Sequence, residues 1–422
     1  MTHMKRVFAP LLSLKGNARY AVFTEPLWGI PFNLYSPFLT LFMFSLGVQD
    51  AHIGILLAVG LAVQMVASVL SGVLTDKFGR RKTNIIWDHL AWTVPCFIWA
   101  FAQDFRWFLV AAIFNGLWPI GSNAWECLLV EDEEPSKIVQ LFNWIYIAGS
   151  ISVFFAPISI IFIRVFELQA VMRVLLAFAA VSMSAKFTLH FIFATETQQG
   201  VVRLKETADV SVYKLLLQYK GVLGQIFTTP ATVRVLVLII ILHIQQIAGS
   251  FFTLYVTQDL GLPDEYVAWF PVLRGAIMLV FFLAFQRVLD RFSIYFVMLG
   301  GLTLYILGYV LLLSTPAGFL VPLLMFTAID ACAAALFMPR RDTLVINNVD
   351  PAERARIRAM LMAIMLGVAS PFAILAGRLS EFNRRIPLAA SIGLFLLIGA
   401  IVWIEKRSGA KHPPGFDTKQ AE

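Results

Sequence analysis

Apolar runs of about twenty residues recur from one end of this chain to the other, separated by short polar connections. A helix rises about 1.5 Å per residue and the hydrocarbon of a bilayer is about 30 Å thick, so each run is long enough to cross a membrane once. Inside lipid every backbone amide must be satisfied within the protein, which favours a bundle of helices over short alternating strands. Twelve spans are expected, over 19–46, 52–75, 83–102, 107–130, 138–163, 168–194, 231–257, 266–288, 292–314, 318–341, 354–378 and 386–404. The composition agrees, with 59% of residues hydrophobic and only 14% charged, where soluble domains carry about a quarter charged. A soluble enzyme is excluded, because any packing in water would leave large contiguous apolar patches exposed.

The net charge of +7 does not mark a nucleic-acid binder, since the basic residues lie between the apolar runs rather than on one soluble face. Their distribution orients the chain instead. With the N-terminus inside, 24 of the 33 lysines and arginines fall on the cytoplasmic side, six fall outside, and Lys186, Arg234 and Arg274 fall within spans. Cytoplasmic loops carry that excess, so both termini are expected in the cytoplasm and the chain is expected as a multi-pass protein of the cell (inner or plasma) membrane. Lys5, Arg6 and Lys15 precede the first run, but Glu25, Pro26, Pro31 and Pro37 interrupt it, and no cleavable leader is expected. Cys96, Cys127 and Cys332 all sit in apolar runs as small hydrophobic residues. No Cys/His pair has metal-ligand spacing, the neighbours Asp88 and His89 point to different sides of a helix, and no glycine loop carries the lysine and Ser/Thr that cradle phosphate. No catalytic group, metal or cofactor is expected.

One connection is long. Residues 195–230 mix Glu196, Arg203, Lys205, Glu206, Asp209, Lys214 and Lys220 with Tyr213, Leu216, Leu217, Leu223 and Phe227, the pattern of an interfacial linker with helical pieces. On either side of it the sequence repeats. Glu126-Cys127-Leu128-Leu129-Val130 followed by Pro135 matches Asp342-Thr343-Leu344-Val345-Ile346 followed by Pro351 at an offset of 216, and Asp76-Lys77-Phe78 matches Asp290-Arg291-Phe292 at 214. Two six-helix halves, 1–194 and 231–422, joined by the linker, account for both. Parallel repeats of this kind build transporters whose site lies near the midplane between halves that rock about it.

The stretch Gly72-Val73-Leu74-Thr75-Asp76-Lys77-Phe78-Gly79-Arg80-Arg81-Lys82 resembles the loop signature of the major facilitator superfamily, G-x-L-x-D-(R/K)-x-G-R-(R/K), at every fixed position. The second copy, Gln286-Arg287-Val288-Leu289-Asp290-Arg291-Phe292, lacks the glycines. With twelve spans, a central linker and a half-chain repeat, the resemblance extends over nearly the whole chain. It implies an all-α membrane fold of two pseudo-symmetric six-helix bundles. It also implies that Asp76 and Arg80, with Asp290 and Arg291 as their counterparts, belong to a cytoplasmic gate, in which Asp76 caps the helix after Pro351 and pairs with arginines. The bland alternative is that Lys77, Arg80, Arg81 and Lys82 only fix topology. The superfamily's antiporter signature on span five is reduced here to Pro157, and the sugar-transporter motifs are absent, so subfamily motifs do not indicate the substrate.

A charge at the centre of a spanning helix costs about 2.5–3.5 kcal/mol on insertion scales. Counted along the expected spans, His243, Arg274 and Asp330 lie roughly 12–18 Å deep, whereas Glu25, Asp88, His89, Glu126 and Lys186 lie nearer the cytoplasmic face. His243, Gln246, Ser250, Thr253 and Thr257 share one face of span seven by their spacing of three and four. The resemblance implies that spans one, four, seven and ten line a central cavity. That stripe would then form one wall, with Asn115, Ser122 and Glu126 on span four and Glu25, Trp28, Phe32 and Ser36 on span one; hydrogen bonding between helices is the alternative for each. Asp330 and Glu126 are candidate carriers of a coupling proton, unless Asp330 is held in a permanent ion pair with Arg274 or His243. Glu25 and Asp88 are expected at a gate or helix interface, Lys186 is expected to snorkel to the interface, and His190 to sit there too. Most of the tryptophans, tyrosines and phenylalanines are assigned to lipid, core or interfacial belt.

The expected function is secondary active transport of a small organic solute by alternating access, coupled to protons, in a monomer whose other partners are membrane lipids. An exporter of toxic amphipathic compounds and a non-transporting sensor of the same fold are the alternatives. The acidic loop Glu131-Asp132-Glu133-Glu134 would serve as docking surface for the sensor.

Overall fold

The computed structural model describes residues 14, 16–133, 141, 144, 145, 148, 149, 151–217, 219–289, 291–347 and 354–407. All the regular structure among them is helical. Two compact units form, one within Met1–Gln218 and Asp264–Val272, the other within Tyr219–Pro263 and Leu273–Glu422.

In the first unit, span one runs Gly16–Ser45 and span two Asp50–Phe78. Span three is built of Arg80–Asp88, a π turn over His89–Thr93 and Val94–Phe101. Span four is built of Phe105–Asn115 and Trp118–Val130, the apolar stretch described in span five is Ile151–Val165, and span six is Leu168–Phe193. The second unit holds span seven over Pro230–Asp259. It also holds most of span eight, Trp269–Leu289, and spans nine to twelve over Ile294–Leu313, Leu320–Asn347, Arg354–Phe382 and Arg385–Arg407. Among the described residues eight helices are long and apolar enough to cross a membrane unaided. The expected linker is itself helical over Gln198–Thr207, Val212–Leu217 and Tyr219–Thr228; the first two pieces pack on span two and the third on span eleven.

Lipid replaces water as the solvent of the outer faces, and large apolar side chains point outward accordingly: Val165, Val174, Val181 and Val321 are each about two-thirds exposed or more. Inside the first unit, span six packs on spans one and three, and span four on spans two and three, around Tyr35, Phe38, Phe42 and Phe108. In the second, span nine packs on ten and twelve, where Tyr305 stacks on Phe395 with 4.6 Å between ring centroids.

Prolines inside these helices leave carbonyls without their usual amide, which lipid cannot satisfy. Neighbouring helices supply the donor. Pro31 cannot serve the carbonyl of Leu27, and Ser182 Oγ of span six donates to it at 2.7 Å. Pro95 cannot serve Ala91, and Asn115 Nδ2 of span four donates to that carbonyl at 2.9 Å. In span ten the donor comes instead from the same helix, where Pro339 frees the carbonyl of Ala335 and Arg340 Nη1 donates to it at 3.4 Å. The donors from spans four and six fix which helices of the first unit lie beside which, and so position the polar groups described next.

Candidate functional site

Four spans of the first unit converge on a cavity of about 210 Å³. Span one contributes Glu25 and Trp28, span three Asp88 and Trp92, span four Trp118, Ser122 and Trp125, and span six Lys186 and Phe187. Within each helix the lining residues are one, three or four positions apart, mostly one face of a turn. The π turn begins immediately after Asp88 and carries Trp92; such turns recur at functional sites because they loosen the regular ladder.

Lys186 Nζ donates to Glu25 Oε2 at 2.8 Å, with the two side chains only 8% and 10% exposed. Three rings surround the ammonium, Trp28 and Trp125 at 5.7 Å and Phe187 at 5.9 Å, near enough for cation–π attraction. Beside this pair the Asp88 carboxylate accepts from Asn84 Nδ2 at 2.5 Å. Asn84 Oδ1 in turn accepts from His190 Nδ1 at 3.0 Å, and the other ring nitrogen of His190 is buried without a partner among the described residues. Gly121 is required where span four passes Asp88, because a Cβ there would strike the carboxylate.

This geometry corrects several expectations. Lys186 does not reach for the interface; it is buried and paired, because Glu25 and three rings meet it inside the unit. Glu25 and Asp88 are buried lining groups rather than shallow gate residues, and His190 is buried behind Asn84. Measured on the helices, Glu25 is nine residues into its span and Asp88 eight into its own, about 12–14 Å along the axis. The second unit therefore does not hold all the deeply placed charges. Glu126 is exposed and does not line the cavity.

The signature between spans two and three closes into a polar knot within the first unit. Gly79 adopts φ +84°, a left-handed conformation that ordinary side chains resist. Span three can therefore begin at once, and its first amides, of Arg80 and Arg81, donate to the two oxygens of Glu196 at 3.0 and 3.2 Å. Arg80 grips Glu131 through Nε and Nη2, both at 3.0 Å, and lies 3.1 Å from Asp76. Thr197 Oγ1 donates to the same Glu131 at 2.5 Å, and Lys77 Nζ donates to the carbonyls of Thr207, Ala208 and Val210 at 2.8–2.9 Å. Asp76 thus pairs with Arg80 and, at 3.9 Å, with Arg203 of the first linker helix. Pro351, ahead of the helix it was expected to cap, and Asp290 lie outside the described residues; Arg291 is exposed.

In the second unit Arg274 Nε of span eight lies 3.0 Å from Asp330 Oδ2 of span ten, the aspartate the more buried at 17% against 44% exposure. His243 is half-buried with Nε2 unpartnered among the described residues. The polar stripe of span seven does not keep one environment. Gln246 and Ser250 are exposed, but a π turn over Tyr255–Asp259 ends the regular face. Thr257 is buried, bonding the carbonyl of Thr253 at 3.0 Å. The buried amide of this helix is instead Gln245, which donates to Tyr309 Oη at 2.8 Å.

Spanning helices, a signature loop closed onto Glu196 and polar groups buried inside the spans define a polytopic membrane protein of the transporter type. The sequence model of the Major Facilitator Superfamily matches residues 29–369, and the chain belongs to that superfamily, whose members are transporters rather than enzymes. An uncharacterized MFS-type transporter, YqjV, of Bacillus subtilis (strain 168) is 28% identical over 124 residues, an alignment that spans 29% of this chain and 30% of that relative. Among solved structures the nucleoside transporter NupG superposes with a TM-score of 0.70 at 16% identity, covering 92% of this chain and 99% of its own. The peptide transporter POT in complex with sulfate gives 0.69 at 14%, covering 93% and 94%. The human organic anion transporter MFSD10 (TETRAN) gives 0.62 at 15%, covering 91% and 98%. Identities this low establish likeness of fold alone.

Proposed function

We propose that this superfamily member carries a small organic solute by proton-coupled alternating access. The two halves, 1–194 and 231–422 with 195–230 between them, would rock about the solute in a cell membrane with both termini cytoplasmic, the protein acting as a monomer. The observation that carries the reading is the cavity of the first unit, where Glu25, Asp88 and Lys186 meet four tryptophans inside spanning helices. Charges in such helices are costly and mark solute or proton pathways, and an unfilled space forgoes the packing that a core otherwise achieves. The Arg274–Asp330 pair is assigned to coupling: Asp330 exchanges a proton while Arg274 or His243 competes for the carboxylate, and Gln246 belongs to the same solute and proton pathway. Glu126 and Glu25 are next in line for that role. Asp76, Arg80, Asp290 and Arg291 are assigned to the cytoplasmic gate.

The aromatic lining favours a second reading in the same frame, export of amphipathic toxic compounds in exchange for protons. Both are tested with the purified full chain in proteoliposomes, using a panel of nucleosides, peptides, organic anions and amphipathic amines under inward and outward proton gradients. Accumulation is expected to follow the gradient, its sign separating uptake from export. Asp330→Asn is expected to abolish accumulation while retaining solute exchange. Normal accumulation by that variant removes Asp330 from coupling, and absence of flux for every solute under either gradient overturns the transport reading.

A further inference from the structure

The groups lining the first unit's cavity do not balance in charge. Glu25 and Lys186 neutralise one another at 2.8 Å. Asp88 is left over, and among the described residues its carboxylate accepts one side-chain hydrogen bond, from the uncharged amide of Asn84. Lys186 lies close enough to Asp88 for its charge to be felt there as well; of the other titratable groups near it on these helices, His89 donates Nδ1 to the carbonyl of Ile85, His190 is held behind Asn84, and Glu126 is exposed and off the lining. The remaining wall is Trp28, Trp92, Trp118, Trp125 and Phe187, softened only by Ser122.

We infer that this cavity recognises an organic cation, with Asp88 as its charge partner and the indoles as its aromatic cage. The inference rests on reading the cavity as the solute site and specifies the class of solute. A carboxylate stripped of water is stabilised by an opposite charge, and the faces of tryptophan rings attract cations more strongly than those of other aromatic residues. An organic anion meets the opposite situation: it faces Asp88 and must also displace Glu25 from Lys186. A neutral solute leaves Asp88 as it was. The volume, about 210 Å³, lies below the usual range of roughly 300–1,000 Å³ for ligand pockets, which suits a cation of one or two rings. Such a solute offers a flat apolar body to the indoles and a single charge to the carboxylate.

The test uses three probes of nearly one shape and different charge, N-methyl-phenylpyridinium, methylbiphenyl and biphenyl carboxylate, bound to the purified full-length protein in detergent. The cation is expected to bind, with the other two competing at least about tenfold less well. Asp88→Asn, which keeps the side-chain shape, is expected to weaken the cation by about ten- to a hundredfold, the loss typical of a charged partner. No binding of the cation, equal binding of all three, preference for the carboxylate, or unchanged affinity in Asp88→Asn overturns the inference. Should that variant fail to fold, the ranking of the probes on the unaltered protein decides. If the cation does not bind while another solute of the proteoliposome panel is carried, cation recognition fails and transport stands. If the cation binds and nothing is carried, the transport reading fails and the cation site stands.

Discussion

Replacing Lys186 by Met removes one charge of a buried pair and keeps most of the side-chain volume. At the observed 2.8 Å two unit charges attract by about 6 kcal/mol if the effective dielectric constant is ~20. Desolvation of both groups offsets much of that, yet removing one partner leaves Glu25 charged and alone, which costs about 3–5 kcal/mol. Glu25→Gln is expected to cost less, because the ammonium left behind still faces Trp28, Trp125 and Phe187, each cation–π contact contributing about 0.5–2 kcal/mol. The double variant, with neither charge, should recover most of the loss, giving a coupling of about 2 kcal/mol or more. Cys96, fully buried in the same unit, supplies the assay in a background where the free, partly buried Cys127 and Cys332 are replaced by serine: its reaction with a thiol-specific dye during heating in detergent reports unfolding of this bundle. The expected order of stability is unaltered protein, double variant, Glu25→Gln, then Lys186→Met. Additive losses in the double variant, or single variants as stable as the parent, would refute the pair as a buried, coupled unit.

Three further outcomes follow from other parts of the structure. Ser182→Ala should destabilise by about 1–3 kcal/mol, because the Leu27 carbonyl loses its donor, and Pro31→Ala in that background should restore stability by returning a backbone amide; the same dye assay detects a failure to rescue. Arg80→Ala, which takes the arginine from Glu131 and Asp76, and Asp76→Asn should bias the protein inward-open and slow turnover more than they weaken solute binding. Accessibility of single cysteines on the two faces measures that bias, and unchanged accessibility with normal turnover removes the gate. A cysteine at Lys205 should react with impermeant reagent only from the cytoplasmic side, while positions around Gln49-Asp50 and Asp259-Leu260 react from outside; labelling of Lys205 from outside overturns the orientation.

The spans were legible because length and hydropathy are local properties, and the signature loop because its glycines and charges are contiguous. The Arg274–Asp330 contact was one of two alternatives readable from depth along the helices. The cavity of the first unit was not legible for a physical reason. Depth along a helix does not say which helix lies beside it, and the neighbours of Lys186 were fixed by donors such as Ser182 and Asn115 serving proline-freed carbonyls across the bundle. A lysine near a helix end therefore read as snorkelling when Glu25 stood ready to pair with it. One signal was available: Trp28, Trp92, Trp118 and Trp125 fall well inside three different spans rather than at their ends, where belt tryptophans belong. The π turns at His89–Thr93 and Tyr255–Asp259 carry no recognisable pattern in the residues, and the second of them is why the five-residue stripe of span seven did not persist as one face.

The knot around Gly79 bears on how this protein is made. Span three begins with amides capped by Glu196, and span two ends with Lys77 bound to carbonyls at Thr207, Ala208 and Val210. Both helix ends belong to the first third of the chain, but their partners leave the ribosome only after span six has been synthesised. Until then Lys77 and the start of span three are open to water and lipid headgroups, and the bundle inserted so far is unfinished at that end. A fragment stopped at residue 194 would carry all six helices of the first half and lack every one of these caps, whereas one continued past Val210 would include them. Expressed as two separate pieces, the halves of this transporter should be divided after the first two linker helices rather than before them.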